Sequence, residues 1–453
     1  MLLRVRQIEV ESLFELYNHS VTLFLDDRVT ILHGPNGVGK TVVLKLVHAL
    51  FSQDYLFLLS TPYLTLRVEL DDHSQILVTK EGGLRSGGGT QAAHFSLISQ
   101  DGETYSYVVG PENLNFDAWA QAYEQQSPYL YNLGGGRWMY QPTEQVFSST
   151  ELYQRFGSEA AASKIPSAVV VNVPEPFQVV YGRVNTFFIE AQRLIRTNGN
   201  RQRRGRTDDA SMTAAVLQDS QELAQQLNQA FLDYGRTSQE LDQSFPQRLF
   251  QANSRTLDGS QIKDAIGRLE KERSRLTSLG VLDIQLPAYP FNMVNLDSID
   301  EATGRAMSLY VEDSQNKLRV LKGFADKVEP LINSINNRFK NKKLRLDRER
   351  GLVAQSASGA DIRPDQLSSG EQHEIVLLYA LLFRVATNTL ILIDEPELSL
   401  HIDWQRQFLP ELLLIAKKTG FDALVATHST SIVGERADLM IGLNAEVVST
   451  HAQ

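Results

Sequence analysis

The residues Gly34-Pro35-Asn36-Gly37-Val38-Gly39-Lys40-Thr41 follow the pattern G-x-x-x-x-G-K-[ST] of a phosphate-binding P-loop. Glycines let successive backbone N–H groups curl around an anion without Cβ clashes, and the following helix start favours negative charge. In such a loop Lys40 bridges the β- and γ-phosphates of a nucleotide and Thr41 ligates Mg²⁺. Far along the chain the apolar run Thr389-Leu390-Ile391-Leu392-Ile393 ends in Asp394-Glu395-Pro396. Two carboxylates at the mouth of a parallel sheet stand where α/β proteins bind ligands. Asp394 is placed to reach Mg²⁺, and Glu395 to orient and deprotonate an attacking water.

Two further motifs flank that strand. Leu367-Ser368-Ser369-Gly370-Glu371-Gln372 precedes an apolar helical stretch, Gln372 to Val385, and so makes a second anion site at a helix start. One P-loop already supplies a complete phosphate cradle, so a second cradle in the same chain calls for a γ-phosphate held by another subunit. Ala423-Leu424-Val425-Ala426 reads as a further strand and leads into Thr427-His428-Ser429. A histidine there either serves the fold or donates to the γ-phosphate. Its place after an Asp-Glu strand and a helix favours the second role.

The elements that must position these residues are legible from periodicity. Val29-Thr30-Ile31-Leu32 reads as a buried strand entering the P-loop, and Val43, Leu44, Val47 and Leu50 give helical spacing after it. Leu64 to Leu70 alternates strictly, and 75–78, 95–98 and 104–109 read as neighbouring strands. Asn113 to Gln125 reads as a helix. Tyr131 to Pro174, with Gly134-Gly135-Gly136 beside Trp138, Met139 and Tyr140, reads as a surface loop. From Ala210 to Asn341 the pattern is helical, with a long apolar stripe through Leu318, Leu321, Phe324, Val328, Leu331, Ile335 and Phe339 and a kink expected at Pro330. At 1.5 Å per residue a helix of ~40 residues spans only about 60 Å, so this is a short insertion rather than a long arm. Lys343 to Leu346 and Leu352 to Ala354 look like a hairpin feeding the second anion loop.

Composition narrows the class. The 453 residues are 42% hydrophobic, enough to bury a full core as one interrupted domain or two. No apolar run approaches ~20 residues, which predicts no membrane span. The N-terminus alternates like a strand and lacks a signal peptide's apolar segment. The chain has no cysteine, which removes disulfides and cysteine-based metal sites and fits a cytoplasmic location. A net charge of −10 disfavours global adhesion to nucleic acid. Arg193, Arg196, Arg201, Arg203, Arg204 and Arg206 form a local basic segment. It reads as a solvated linker, a nucleic-acid contact or a dock for an acidic partner.

Taken together, GPNGVGKT, LSSGEQ, LILIDEPELSLH and ATHS resemble the motifs of ATP-binding-cassette (ABC) ATPases, and more closely the stand-alone branch that includes RecF, SMC and the OLD family. The resemblance covers roughly Met1 to Arg193 and Leu344 to Val448. It implies an α/β, ABC-type P-loop NTPase fold with a helical insertion between two halves, 1–205 and 343–453, the insertion being 206–342. It also implies ATP and Mg²⁺ as ligands, with contacts from Gly34, Pro35, Asn36, Gly37, Val38, Gly39, Lys40 and Thr41. Ser368, Ser369, Gly370 and Glu371 become the signature segment that closes over ATP in a second copy, giving a homodimer or higher oligomer. Glu395 becomes the catalytic base and His428 the switch histidine. Gln192, at the end of the strand-like run from Val184, becomes the Q-loop ligand of Mg²⁺ and water, with a surface glutamine as the plain alternative. His401 replaces the aspartate usual at the end of a transporter D-loop and points away from transporter subunits. The layout also resembles ATPase subunits of antiphage systems of the Septu and PARIS kind, which implies a separate effector, such as a nuclease. A DNA-clamping repair ATPase and a nucleotide sensor with little turnover are the alternative readings.

Overall fold

Three largely apolar strands form the centre of the five-stranded sheet that carries the phosphate loop. The computed structural model describes residues 2–80, 92–110, 113, 115–127, 129–141, 145–161, 171–190, 195–197, 212–250, 257–282, 300–398 and 400–443. Two compact units emerge, Met1–Thr213 with Arg384–Gln453, and Ala214–Phe383.

In the first unit, β1 (Val5–Leu13) and β2 (Tyr17–Thr22) form a hairpin, and β3 (Val29–His33) runs into α1 (Lys40–Ser52). There follow α2 (Tyr55–Ser60), β4 (Thr65–Leu70), β5 (Gln75–Lys80), β6 (Ala93–Ile98), β7 (Thr104–Val109) and α3 (Phe116–Gln126). Next come β8 (Leu130–Gly134), β9 (Arg137–Tyr140), β10 (Gln145–Ser148), α4 (Ser149–Ala161), α5 (Glu175–Arg183), β11 (Asn185–Ile189) and the short β12 (Ile195–Thr197), which pairs with β13 (Met212–Ala214). The second unit holds α6 (Ala215–Phe250), α7 (Gly259–Ser278), α8 (Glu301–Asn336), β14 (Lys342–Asp347), β15 (Gly351–Ser356), β16 (Asp361–Ile362) and α9 (Ser369–Tyr379). The chain then returns to the first unit with β17 (Thr389–Asp394), α10 (Ile402–Thr419), β18 (Asp422–Thr427), α11 (Thr430–Val433) and β19 (Met440–Gly442).

The parallel sheet has the order β11-β17-β18-β3-β19, so β18 lies between the strand feeding the P-loop and the strand ending in Asp394. Every residue of β17 and β18 is buried, as expected of parallel strands covered on both faces. The antiparallel sheet β2-β1-β4-β5-β6-β7 instead alternates, with Leu66, Val68 and Leu70 turned inward on β4. Its inner face, α1 and the parallel sheet share one core, which includes Val43, Leu44, Leu392 and Leu424. Arg4 joins the start of β1 to the start of β18 through two hydrogen bonds to the buried Asp422 carboxylate, at 2.7 and 2.6 Å.

The stretch expected as a surface loop, Tyr131 to Pro174, is corrected over its described part. β8, β9 and β10 form a meander and α4 packs on α3 around Trp119, Leu130, Trp138, Leu152 and Phe156. Trp138 is 1% exposed and its indole N–H donates to Ser149 Oγ at 2.9 Å. The glycines that looked like loop markers make the tight β8–β9 turn, with Gly134, Gly135 and Gly136 all at positive φ.

In the second unit α8 runs through Pro330 as one helix, and its stripe Leu318, Leu321, Val328, Leu331 and Ile335 is buried. Arg275 ties α7 to Asp326 and Glu329 of α8. Gly351 has a backbone that only glycine can supply here, because its φ is +77° and a Cβ would lie 1.8 Å from Ser220 O.

Candidate functional site

Because β3, β17 and β18 are parallel and in register, their ends open on one edge of the sheet. Asp394 pairs with Ala426, and Thr427 with His33. The sequence places chemistry directly after each end: the P-loop after β3, Glu395 after β17 and His428 after β18.

The P-loop folds as its glycines require. Gly37 and Gly39 sit at φ +87° and +94°, and a Cβ on Gly39 would come 2.5 Å from Leu13 Cδ2. Gly34 is confined by Leu443, whose carbonyl would lie 2.8 Å from an added Cβ. Lys40 is 5% exposed, and its ammonium donates to the carbonyls of Gly34 at 2.8 Å and Pro35 at 3.0 Å, which holds its charge inside the loop. Thr41 Oγ1 donates to Asp394 Oδ1 at 2.8 Å, joining residues 353 positions apart. Burial pushes the Asp394 carboxyl above its ordinary value; the Thr41 hydroxyl and Lys45 oppose the shift, while Glu395 and Glu397 add to it. A cation beside Thr41 and Asp394 would relieve that penalty, and hard oxygen donors suit Mg²⁺. The residues present therefore fit the expected metal.

Glu395 stands at the turn after β17 with φ +43°, and its N–H donates to Ala426 O at 2.9 Å. A non-glycine residue at positive φ persists only where its surroundings fix it. Its Oε2 lies 3.0 Å from His428 Nδ1, and Glu397 Oε1 lies 3.3 Å from the same nitrogen. Carboxylates only accept, so an Nδ1–H would face both of them and leave Nε2 for a ligand. Glu395, Glu397 and His428 are also, among the described residues, the one group of three or more acidic or histidine side chains whose ligand atoms come within 4.8 Å of one another.

Three residues in or around the site carry no signal in the local sequence. Phe14 lines a cavity of about 400 Å³ together with Asn36, Gly37, Gly39, Lys40, Thr41, Val42 and Glu395. Its ring offers an aromatic face beside the phosphate loop, suited to stacking a planar base. His19 is 5% exposed and lies 2.7 Å from Val38 O through Nε2, so Nε2–H braces the P-loop; burial lowers its pKa and keeps the ring neutral. Glu397 is 7% exposed and gathers the backbone after β18.

The signature segment belongs to the second unit. Ser368 caps α9 in a reciprocal box with Glu371: its Oγ accepts from the Glu371 N–H, while Glu371 Oε2 accepts from the Ser368 N–H at 2.9 Å. Burial alone would raise the Glu371 carboxyl, but the Lys342 ammonium at 2.8 Å and the Ser368 donors outweigh it and hold it below its ordinary value. The Glu371 carboxylate is thus engaged within the fold. Ser368 and Ser369 are exposed and Gly370 half-buried, leaving a serine- and glycine-lined helix start facing solvent. Gln192 lies outside the described residues, as do the side chains of Arg193 to Arg206. No described helix is long and apolar enough to cross a membrane.

Residues 306–434 match the protein family described as "AAA domain, putative AbiEii toxin, Type IV TA system". The chain is 25% identical over 226 residues to the dipeptide transport ATP-binding protein DppD of Escherichia coli, covering 46% of this chain and 68% of that protein. It is 30% identical over 109 residues to the Haemophilus influenzae protein of the same name, covering 23% and 32%. Among solved structures it superposes on a Pyrococcus furiosus Smc head domain with an extended coiled coil, bound to the C-terminal domain of ScpA. That match has a TM-score of 0.35 and 10% identity, and covers 98% of this chain and 95% of that one. An SMC head domain from Thermotoga maritima gives 0.32 and 13%, covering 98% and 97%. The fold is mixed α/β, and the chain is similar to ATP-binding proteins of the ABC/AAA type.

Proposed function

We propose that this chain binds ATP with Mg²⁺ and hydrolyses it, using a P-loop from one copy and a signature segment from another. The observation that carries the reading is the 2.8 Å hydrogen bond from Thr41 to Asp394. It brings the phosphate loop and the carboxylate strand into one site, with Glu395 on the cavity wall. Thr41 and Asp394 would hold Mg²⁺, which neutralises phosphate charge when bound. The backbone N–H groups of Gly37 to Thr41 and the Lys40 ammonium bind the phosphates. Phe14 offers a face to the base. Glu395 takes the proton of the attacking water, and His428, held at Nδ1, presents Nε2 to the γ-phosphate.

The exposed start of α9 at Ser368 and Ser369 supports the composite site. It offers free N–H groups to an anion while the P-loop of the same chain already has its own cradle. ATP then acts as glue between copies, and hydrolysis loosens them. We further propose that this cycle controls an effector protein, a nuclease, in antiphage defence. The toxin and TA-system wording of the matching family supports a two-component arrangement. Co-expression with a neighbouring gene product, followed by affinity capture with ATP and with ADP, tests this. Nucleotide-dependent co-purification of a nuclease is expected, and capture that ignores nucleotide contradicts it.

A further inference from the structure

We propose that Glu397 is a positioning residue for hydrolysis: its buried carboxylate locks the segment after β18 against the segment after β17 and thereby orients His428 toward Glu395. The inference rests on the ATPase reading above. Glu397 Oε1 accepts from Thr427 Oγ1 at 2.7 Å, the His428 N–H at 3.1 Å and the Ser429 N–H at 3.2 Å. The same oxygen lies 3.3 Å from His428 Nδ1. One carboxylate oxygen thus holds the Thr427 hydroxyl and the backbone N–H groups of the next two residues, and lies beside the His428 ring. Its other oxygen is buried and has no hydrogen-bond partner, so the group is not there to satisfy a network of its own.

A second link reinforces the first. Ser429 Oγ donates to Gln405 Oε1 at 2.9 Å, and Gln405 Nε2 donates to Leu400 O at 3.1 Å. The two loops therefore close as a unit, with Glu397 at the centre. Side chains that hold an orienting charge beside a catalytic histidine fix its tautomer and ring position, and their loss is felt in turnover rather than in ground-state binding. The nucleotide contacts at Lys40 and Thr41 do not pass through Glu397.

Glu397→Gln is the informative variant. The amide oxygen can still accept from Thr427, His428 and Ser429, but the charge beside Nδ1 is gone. We expect kcat to fall on the order of 10–100-fold, the size typical of orienting partners one layer out from a reacting group. Affinity for a fluorescent ATP analogue should stay within about twofold, and so should KM. In a His428→Ala background the same change should cost no more than about twofold, because its effect runs through the ring. Thr427→Val, which removes a donor without touching Nδ1, should keep kcat within about threefold. ¹⁵N signals of histidine in the nucleotide-free protein should show His428 Nδ1 protonated, and Glu397→Gln should shift them. The proposal is overturned if Glu397→Gln turns over like wild type, if its loss adds in full to that of His428→Ala, or if the His428 signals do not move. Absence of ATP turnover in the wild type would sink the ATPase reading instead, and the histidine signals would still decide the role of Glu397.

Discussion

Replacing Glu395 with Gln separates binding from chemistry. The substitution is isosteric, and the backbone that holds residue 395, its N–H on Ala426 O at φ +43°, is unchanged by it. The P-loop, the Lys40 contacts and the Thr41–Asp394 bond lie outside the altered group. Thr41 and Asp394, the groups that would hold Mg²⁺, are left in place by the substitution. The proton-accepting group is lost, however. A positioned general base contributes about 10²–10⁴ in rate, or about 3–5.5 kcal/mol of barrier. Phosphate release under saturating ATP and Mg²⁺ should therefore fall by that factor, while equilibrium binding of a fluorescent ATP analogue stays within about twofold. Turnover within a few-fold of wild type would refute the assignment of Glu395.

Lys40→Ala removes a buried ammonium from the phosphate loop and should weaken ATP binding on the order of 10²-fold, measured by the same titration; unchanged affinity would contradict the P-loop reading. Ser369→Arg should leave binding by its own P-loop intact yet abolish turnover. Mixing it with Lys40→Ala should restore part of the activity, because one of the two interfaces then pairs an intact P-loop with an intact signature segment; association without any recovery contradicts the composite site. The purified chain with Mg²⁺ and ATP should cleave neither DNA nor RNA, and nuclease activity abolished by a mutation outside the ATP site would contradict this. Burial pulls Lys80 down to about 8 from 10.5 while it donates to Leu59 O. Between those pH values the unfolded chain binds a proton that the folded one has released, so stability rises with pH across that window. Denaturant midpoints of wild type minus those of Lys80→Met should climb from pH 8 to 10.5, and a flat difference would show that Lys80 keeps its proton.

What the sequence revealed was local. The P-loop, Asp394, Glu395 and the helix start behind Ser368 each follow from short-range patterns, because a tight turn, a strand end and a helix start are encoded within a few residues. The apolar runs Leu390–Ile393 and Ala423–Ala426 were readable as strands for the same reason. Phe14, His19 and Glu397 were not readable. Each acts across a long span: Phe14 faces the P-loop from the β1–β2 turn, His19 braces Val38, and Glu397 meets Thr427 to Ser429 only because β18 lies between β17 and β3. Trp138 was misplaced on the surface because β8 to β10 are four or five residues long, too short for alternation to show, and its burial depends on α3 and α4.

In the proposed cycle ATP is shared between two copies of the chain. Light scattering of Glu395→Gln with and without ATP and Mg²⁺ reads this directly, since the variant should bind nucleotide without discharging it. We expect the mass to double on adding ATP, and to stay that of one chain when Ser369→Arg is also present. Saturated nucleotide binding with no change in mass would contradict the shared site.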